Sequence, residues 1–184
     1  MVFITIGTGI GAGIIVDGSL YWSSNHLAGE IGYMLPGRGY LGRQAKDFGV
    51  LESKASLSAI SGTAFEVMKN HKILESPENL SLDTIFKEML AGQDWARETI
   101  DDMLDYFSIA ISNVRALLDP DLIVIRSGLD LYTELLIEPI LRRIEGPVPR
   151  KPVVTASKLG YKATALGAIV EVLHETTNFY LVIN

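Results

Sequence analysis

Four glycines alternate with other residues in the run Gly7-Thr8-Gly9-Ile10-Gly11-Ala12-Gly13, which lies between two apolar segments of strand character. Glycine adopts backbone conformations closed to other residues, so such a run lets two strands turn tightly while backbone N–H groups converge on one side. This arrangement predicts an anion-binding hairpin in which Gly7, Thr8, Gly9 and Gly11 contact phosphate. A glycine-rich hairpin without any ligand fits the spacing equally well.

The residues after the glycines exclude two common nucleotide-binding motifs. The spacing Gly7-x-Gly9-x-x-Ala12 matches the dinucleotide fingerprint, but that fingerprint requires a helix immediately after the glycines. Here the chain continues through Ile14-Ile15-Val16 into the turn signal Asp17-Gly18 and a further strand pattern. A P-loop is excluded as well, because no Gly-Lys-Ser or Gly-Lys-Thr follows the run.

Hydrophobic periodicity predicts an α/β domain in which a mixed sheet carries helices on its faces. We expect strands over Val2–Ile6, Gly13–Val16, Leu20–Ser24, Leu122–Ile125 and Val153–Ala156, and an extended piece over Ile31–Leu35. We expect helices over Leu51–Ser61, Thr63–Asn70, Ser81–Leu90, Glu98–Leu118, Leu131–Ile144 and Ala163–His174. Because its first residues already read as a strand that needs partners on both edges, the sequence is interpreted as one lobe of a longer protein.

Composition limits the partners of this segment. Its 22 acidic and 16 basic residues give a formal net charge of −6 over 184 residues, which argues against a nucleic-acid surface. Any contact with DNA would therefore need another segment. The absence of cysteine excludes disulfides and thiolate metal sites and is compatible with a cytoplasmic protein. No apolar run approaches the length of a bilayer, so no membrane contact is expected.

The glycine run, together with Leu27-Ala28-Gly29-Glu30-Ile31-Gly32, resembles the ROK family of repressors, open reading frames and sugar kinases. The resemblance implies an actin-like (ribonuclease-H-like) ATPase-type lobe, with residues 1–184 forming a single C-terminal lobe. Family members carry upstream a first lobe with another phosphate loop and the general-base aspartate, and repressors also carry a winged helix-turn-helix. None of these is recognised in residues 1–184, so we expect no catalytic residue here and an inactive chain in isolation.

The resemblance also implies a sugar site. In the family, a glutamate of the Ala-Gly-Glu-x-Gly segment contacts sugar hydroxyls, and Glu30 holds that position. A second sugar-facing glutamate ends the Gly-Cys-Leu-Glu element, which Gly49-Val50-Leu51-Glu52 matches through Glu52. Carboxylates form strong hydrogen bonds to hydroxyl groups. Tyr33 replaces a family histidine that touches the sugar, so it either contacts the sugar as well or is an ordinary half-buried strand tyrosine.

The same histidine belongs to the zinc site of the family, together with three cysteines. Zinc requires thiolate or imidazole donors, and the four matching positions supply neither: Tyr33, Arg43, Ala45 and Val50. We therefore expect no zinc, and we expect the loop over residues 36–46 to be mobile unless a sugar or a partner orders it. The acidic cluster Asp101, Asp102 and Asp105 is attributed to a favourable interaction with a helix N-terminus rather than to a metal.

The segment Arg126-Ser127-Gly128 decides between two functions. Kinase members of the family place a glycine pair there to approach adenine, and repressors commonly lose it. We therefore interpret the chain as the sugar-binding effector domain of a ROK-type transcriptional regulator that binds a monosaccharide, forms a homodimer or higher oligomer and needs no cofactor. The alternative is the C-terminal half of a glucokinase-like ROK sugar kinase that uses ATP and Mg²⁺ to phosphorylate a hexose.

Overall fold

A five-stranded mixed sheet organises the computed structural model, which describes residues 1–42, 49–73, 80–128, 130–146 and 150–181. The strands are β1 (Val2–Ile6), β2 (Ile10–Val16), β3 (Ser19–Leu20), β4 (Leu122–Ser127) and β5 (Val153–Ala156). Their order is β3-β2-β1-β4-β5. Strand β1 pairs antiparallel with β2 and parallel with β4, and β4 pairs parallel with β5. The predicted mixed sheet is confirmed.

A long central helix packs against four of the other helices. The helices are α1 (Glu52–Ala55), α2 (Leu57–Asn70), α3 (Leu82–Ala91), α4 (Asp94–Leu118), α5 (Asp130–Arg143) and α6 (Ala163–Leu181), with 3-10 turns at Ile31–Tyr33, Arg38–Tyr40 and Gly160–Lys162. Helix α4 packs against α1, α2, α3 and α5, as its apolar periodicity predicts. None of the helices in the described ranges is both long enough and apolar enough to cross a bilayer.

The core forms where alternate strand residues meet the apolar stripe of α4. Val2, Ile4 and Ile6 of β1 are buried, while the residues between them are half-buried. Ile123 and Ile125 of β4 continue this apolar face. Full burial of an aliphatic or aromatic side chain contributes about 1.5–3 kcal/mol, and the largest fully buried side chains include Phe86 and Phe107. This core fixes the ends of β1 and β4, from which the glycine turn and the Arg126 segment extend.

Two predicted strands differ from the observed ones. Strand β2 begins at Ile10 rather than Gly13, because only residues 7–9 form the turn and the later glycines pair with β1. The aromatic part of the predicted strand Leu20–Ser24 is not a strand, since β3 ends at Leu20. The expected extended piece over Ile31–Leu35 is wrong too: the chain forms a 3-10 turn there, after Gly29 has reversed its direction at φ 90°.

The predicted helix boundary near Ser61-Gly62 is wrong, because α2 continues through both residues. The break lies at Ser56, whose backbone is extended (φ −74°, ψ 161°) and whose hydroxyl oxygen accepts a hydrogen bond from Ala59 N–H at 3.2 Å. This is an N-cap, and it outweighs the weak helix propensity of one exposed glycine.

The predicted interaction of the acidic cluster with a helix N-terminus is also wrong. Helix α4 begins at Asp94, so Asp101, Asp102 and Asp105 lie beyond the first turn, where the helix dipole has little effect. Instead, Arg143 of α5 donates from Nη2 to Asp101 at 2.5 Å and from Nε to Asp105 at 2.7 Å. Asp101 and Asp105 therefore join α4 to α5 through this arginine.

Candidate functional site

The glycine turn of residues 7–9 is fastened to the first turn of α2. Gly7 N–H donates to Gly9 O at 2.8 Å, which closes the turn, and Gly7 O accepts from Leu57 N–H at 2.8 Å. The hydroxyl of Ser58 donates to Thr8 O at 2.9 Å. The carbonyl groups of Gly7 and Thr8 therefore point towards α2 and accept hydrogen bonds from its N-terminal residues.

The N–H groups of the four predicted phosphate-binding residues are not equally available. Gly7 N–H is used within the turn, and Gly11 lies opposite Thr5 in the β1–β2 ladder, two residues beyond the Gly7–Gly9 pair, so its N–H faces β1. No oxygen of the described residues accepts a hydrogen bond from Thr8 N–H or Gly9 N–H. An anion at this turn would bind to those two N–H groups, which point away from α2 because each belongs to a trans peptide whose carbonyl faces that helix.

Glu52, in the first turn of α1, joins the glycine run to the segment that precedes the helix. Its Oε1 accepts a hydrogen bond from Ile10 N–H at 3.2 Å, and its Oε2 accepts one from Gly49 N–H at 3.2 Å. The side chain is half-buried. Each carboxylate oxygen has two lone-pair directions, so both oxygens keep acceptor capacity for a ligand hydroxyl while the backbone contacts hold the group in place.

Glycines create the space that Glu52 occupies. A Cβ atom at Gly9 would overlap Glu52 Oε1, and one at Gly32 would lie 2.9 Å from Glu52 Oε2 and 2.7 Å from Ile10 O. A Cβ at Gly49 would overlap Gly32 O. These positions need glycine because three backbone segments meet at one carboxylate.

Glu30 precedes, and Tyr33 ends, the 3-10 turn that lies on β2. Gly29 accepts a hydrogen bond at its carbonyl from Ala12 N–H at 2.7 Å, and a Cβ at Gly29 would overlap Ala12 O. Tyr33 N–H donates to Glu30 O at 3.1 Å. Both side chains are exposed, Tyr33 to 60%, and neither has a hydrogen-bond or ion-pair partner within the part of the chain that the structure describes. Tyr33 is therefore not a half-buried strand residue.

The backbone brings Tyr33 close to Glu52 through Gly49. The N–H of Gly49 donates to Glu52, and a Cβ atom at Gly49 would lie only 2.6 Å from the backbone nitrogen of Tyr33. Glu30 lies at the start of the same 3-10 turn, and its carboxylate makes no hydrogen bond to the groups that surround Glu52. The three predicted sugar-binding residues thus border one region, in which Glu52 is fixed and the other two side chains are open to solvent.

The Arg126 segment lies at the carboxyl end of β4, beside the base of the glycine turn. Gly128 N–H donates to Ile6 O at 2.9 Å. Arg126 donates from Nε to Gly160 O at 3.1 Å, and the buried Ser127 hydroxyl lies 2.6 Å from the hydroxyl of Thr133 on α5. Arg126 and Ser127 therefore take part in local packing at the position where kinase members of the resembled family have glycines.

Sequence reasoning missed a tyrosine pair next to this region. The hydroxyl oxygens of Tyr40 and Tyr106 lie 2.7 Å apart, and their rings meet edge to face with centroids 6.4 Å apart. The Lys54 ammonium lies 6.0 Å from the centroid of the Tyr106 ring. The hydrogen bond to Tyr40, assisted by burial, raises the pKa of Tyr106 to about 12. No local pattern could reveal this pair, because its members are 66 positions apart.

The residues present do not fit the zinc site implied by the family resemblance. Of the four positions, Tyr33 and Val50 lie within the described residues and offer neither thiolate nor imidazole. Arg43 and Ala45 lie outside the described residues, as does the rest of the 36–46 loop after Gly42. Across the ranges that the structure describes, no group of three or more histidine, aspartate or glutamate side chains is arranged to bind a metal ion.

Comparison with known proteins identifies relatives over most of the chain. The sequence model of the ROK family matches residues 1–175 of the chain. The glucokinase of Halalkalibacterium halodurans is 33% identical over 155 residues, which cover 79% of this chain and 46% of that protein. The chain spans about half the length of the curated relatives it matches.

Solved structures share the fold. A ROK family glucokinase from Streptomyces griseus in complex with glucose and AMPPNP has a TM-score of 0.73 at 23% identity, covering 88% of this chain and 56% of that one. A ROK family transcriptional regulator, a homologue of the E. coli MLC protein, has a TM-score of 0.68 at 25% identity, covering 84% of this chain and 41% of that one. The predicted actin-like ATPase-type fold is confirmed.

Proposed function

Because the chain belongs to the ROK family, we propose that it forms the sugar- and phosphate-binding part of a ROK sugar kinase that phosphorylates a hexose. The observation that carries this proposal is the position of Glu52 beside the turn whose Thr8 and Gly9 N–H groups have no acceptor among the described residues. A carboxylate that accepts sugar hydroxyls and a turn that donates to phosphate are then neighbours, as phosphoryl transfer requires. The similarity to a curated glucokinase favours this kinase alternative over the regulator interpretation.

In this proposal Glu52 is the fixed acceptor for sugar hydroxyls. Its two backbone hydrogen bonds orient the carboxylate before the sugar arrives, so little side-chain freedom is lost on binding. Glu30 and Tyr33 complete the contact from the edge of the 3-10 turn: the carboxylate accepts from a hydroxyl group, and the tyrosine ring packs on the sugar or donates from its own hydroxyl. The glucose complex of the Streptomyces griseus relative supports a monosaccharide as the ligand.

The phosphate side of the proposal rests on backbone donors. Mg²⁺-ATP supplies the phosphoryl group, and within this chain Thr8 N–H and Gly9 N–H stabilise negative charge at the turn. Gly7 and Gly11 act by shaping the hairpin, since their N–H groups serve the turn and the ladder. We assign no general base within residues 1–184 and propose that a segment outside this sequence supplies it.

The kinase proposal is tested on the full-length protein that contains this chain. Calorimetry with a panel of hexoses and amino sugars measures binding, and a coupled assay with Mg²⁺-ATP measures phosphorylation of each sugar that binds. Binding together with turnover supports the kinase. Binding without turnover under saturating ATP rejects it in favour of the regulator, and no binding to any sugar rejects both.

A regulator remains the second candidate because of Arg126 and Ser127. Arg126 donates to Gly160 O and Ser127 is buried against Thr133, so side chains fill the place where close approach to adenine needs glycine. The likeness to a ROK family transcriptional regulator supports the same reading. In that case sugar binding would act on DNA through a segment outside residues 1–184.

We also propose that the chain self-associates through α6. Five apolar side chains of this helix are between 41% and 64% exposed: Leu166, Ile169, Val170, Val172 and Leu173. Such a stripe is unusual on a monomer and typical of an interface. Light scattering should show a dimer or higher oligomer for the wild type and a shift towards monomer for Ile169→Glu, and a monomeric wild type would reject the proposal.

A cytoplasmic location stays a prediction that rests on the absence of cysteine.

A further inference from the structure

The segment that follows the Tyr33 turn is anchored through one residue. Between positions 37 and 42, Tyr40 is half-buried and every other residue is exposed, including Leu41 at 68%. A Cβ added at Gly37, Gly39 or Gly42 would meet no atom within 4 Å. Tyr40 thus provides the main packing contact by which these residues are held to the body of the protein.

The partner of Tyr40 lies beside the short helix that carries Glu52. Tyr106 belongs to α4, and its hydroxyl lies 2.7 Å from that of Tyr40. The Lys54 ammonium is placed 6.0 Å from the centroid of its ring. Lys54 is in the same short helix as Glu52, α1, which packs against α4. Tyr106 therefore contacts the segment after Tyr33 and also lies beside the helix that carries Glu52.

We propose that the Tyr40–Tyr106 pair positions the 37–42 segment against α4 and α1, and that it does so in place of the zinc ion that the family resemblance implies. The donor set of this chain does not fit zinc, so a metal cannot hold the segment. The effect on sugar affinity rests on the proposed function, whereas the anchoring itself does not.

The chemistry of the pair suits a permanent contact. The raised pKa of Tyr106 keeps its phenol protonated throughout the neutral range, so one hydroxyl can always donate to the other. The edge-to-face geometry adds a favourable ring contact beyond the burial of area. Neither interaction depends on a metal, on the redox state or on a charge that salt would screen.

Hydrogen exchange of the backbone N–H groups in residues 37–42 tests the anchoring in the full chain. Tyr106→Phe and Tyr40→Phe keep both rings and remove the hydrogen bond, which should accelerate exchange in this segment about two- to tenfold. Tyr132→Phe is the matched control: its hydroxyl donates to Asp83 at 2.6 Å, away from this segment. Exchange equal to that of the wild type in both single variants overturns the proposal.

Zinc content and sugar affinity give independent results. Elemental analysis should find no zinc bound at one ion per chain, and a chelator should leave exchange in the segment unchanged; bound zinc or a chelator effect overturns the proposal.

Tyr106→Phe should weaken the binding of a sugar found by the panel about two- to tenfold, with no such loss in Tyr132→Phe. Unchanged affinity with faster exchange overturns the positioning role. If the wild type binds no sugar, the proposed function fails while exchange and zinc content still decide the anchoring.

Discussion

Glu52 accepts a hydrogen bond at Oε1 from the backbone N–H of Ile10, 42 positions earlier in the sequence, at 3.2 Å. The outward N–H groups of β2 are those of even-numbered residues, and Ala12 N–H in the same strand donates to Gly29 O. Glu52 thus supplies a hydrogen-bond acceptor for an outward N–H group of β2 at Ile10, because β3 pairs only with Ile15 and Val16. The residue predicted to contact sugar is at the same time part of the framework of the glycine hairpin.

Glu52→Gln should weaken sugar binding and destabilise the fold. A glutamine amide has only one acceptor oxygen. Its NH2 group, a donor, would therefore face either Ile10 N–H or Gly49 N–H, and that backbone N–H would lose its acceptor. A half-buried unsatisfied donor costs about 1–3 kcal/mol. Calorimetry and urea denaturation measure the two effects. Glu66→Gln, an exposed site on α2, is the control and should change neither quantity.

Gly9→Ala should disturb the site although it adds a single methyl group. The new Cβ would overlap Glu52 Oε1, so the carboxylate or the turn must move, and such overpacking costs about 1–3 kcal/mol. Urea denaturation and sugar calorimetry measure the effect. Gly37→Ala is the matched control, because its backbone is extended and its Cβ would meet no atom within 4 Å. Equal stability of the two variants would refute the close approach of Gly9 to Glu52.

Gly62→Ala should stabilise the protein. Gly62 lies inside α2, its Cβ would meet no atom within 4 Å and its φ is not positive, so alanine adds helix propensity worth about 0.5–1 kcal/mol. Gly18→Ala is the contrast, because its φ of +80° strains any residue with a side chain and should lower stability. Thermal unfolding should move in opposite directions for the two variants.

Arg143→Gln should loosen the contact between α4 and α5. The arginine bridges Asp101 and Asp105, both largely exposed, so the loss should be about 1 kcal/mol and smaller at high salt. Arg142→Gln is the control, since its partner Glu138 is exposed on the same helix and such pairs contribute about 0.5 kcal/mol or less. A larger, salt-independent loss in Arg142→Gln would contradict this assignment.

Tyr106 should make the stability of the fold sensitive to alkaline pH. Its pKa is about 12 in the folded protein against an ordinary value of 10.0, chiefly because Tyr40 hydrogen-bonds to the neutral phenol. A raised pKa contributes stability that is complete below pH 10 and is lost as the pH rises towards 12. Denaturation at a series of pH values should therefore show a shallower alkaline decline for Tyr106→Phe. Tyr21→Phe, at an exposed site, should follow the wild type.

The sequence alone determined the elements whose pattern is local and long. The strand bounds of β5 and the apolar core of α4 follow from alternation and from three- and four-residue spacing. The fold class and the family were also accessible, because the glycine run and the Ala28-Gly29-Glu30 segment lie within one short stretch.

Only the tertiary structure decided what those residues do for one another. The role of Asp101 depends on Arg143, 42 positions away. The carboxylate that binds Ile10 N–H lies 42 positions away in the sequence, and the hydroxyl that pairs with Tyr106 lies 66 positions away. Such contacts leave no periodic trace in the sequence, because their energy arises only when the folded core has brought the chain segments together.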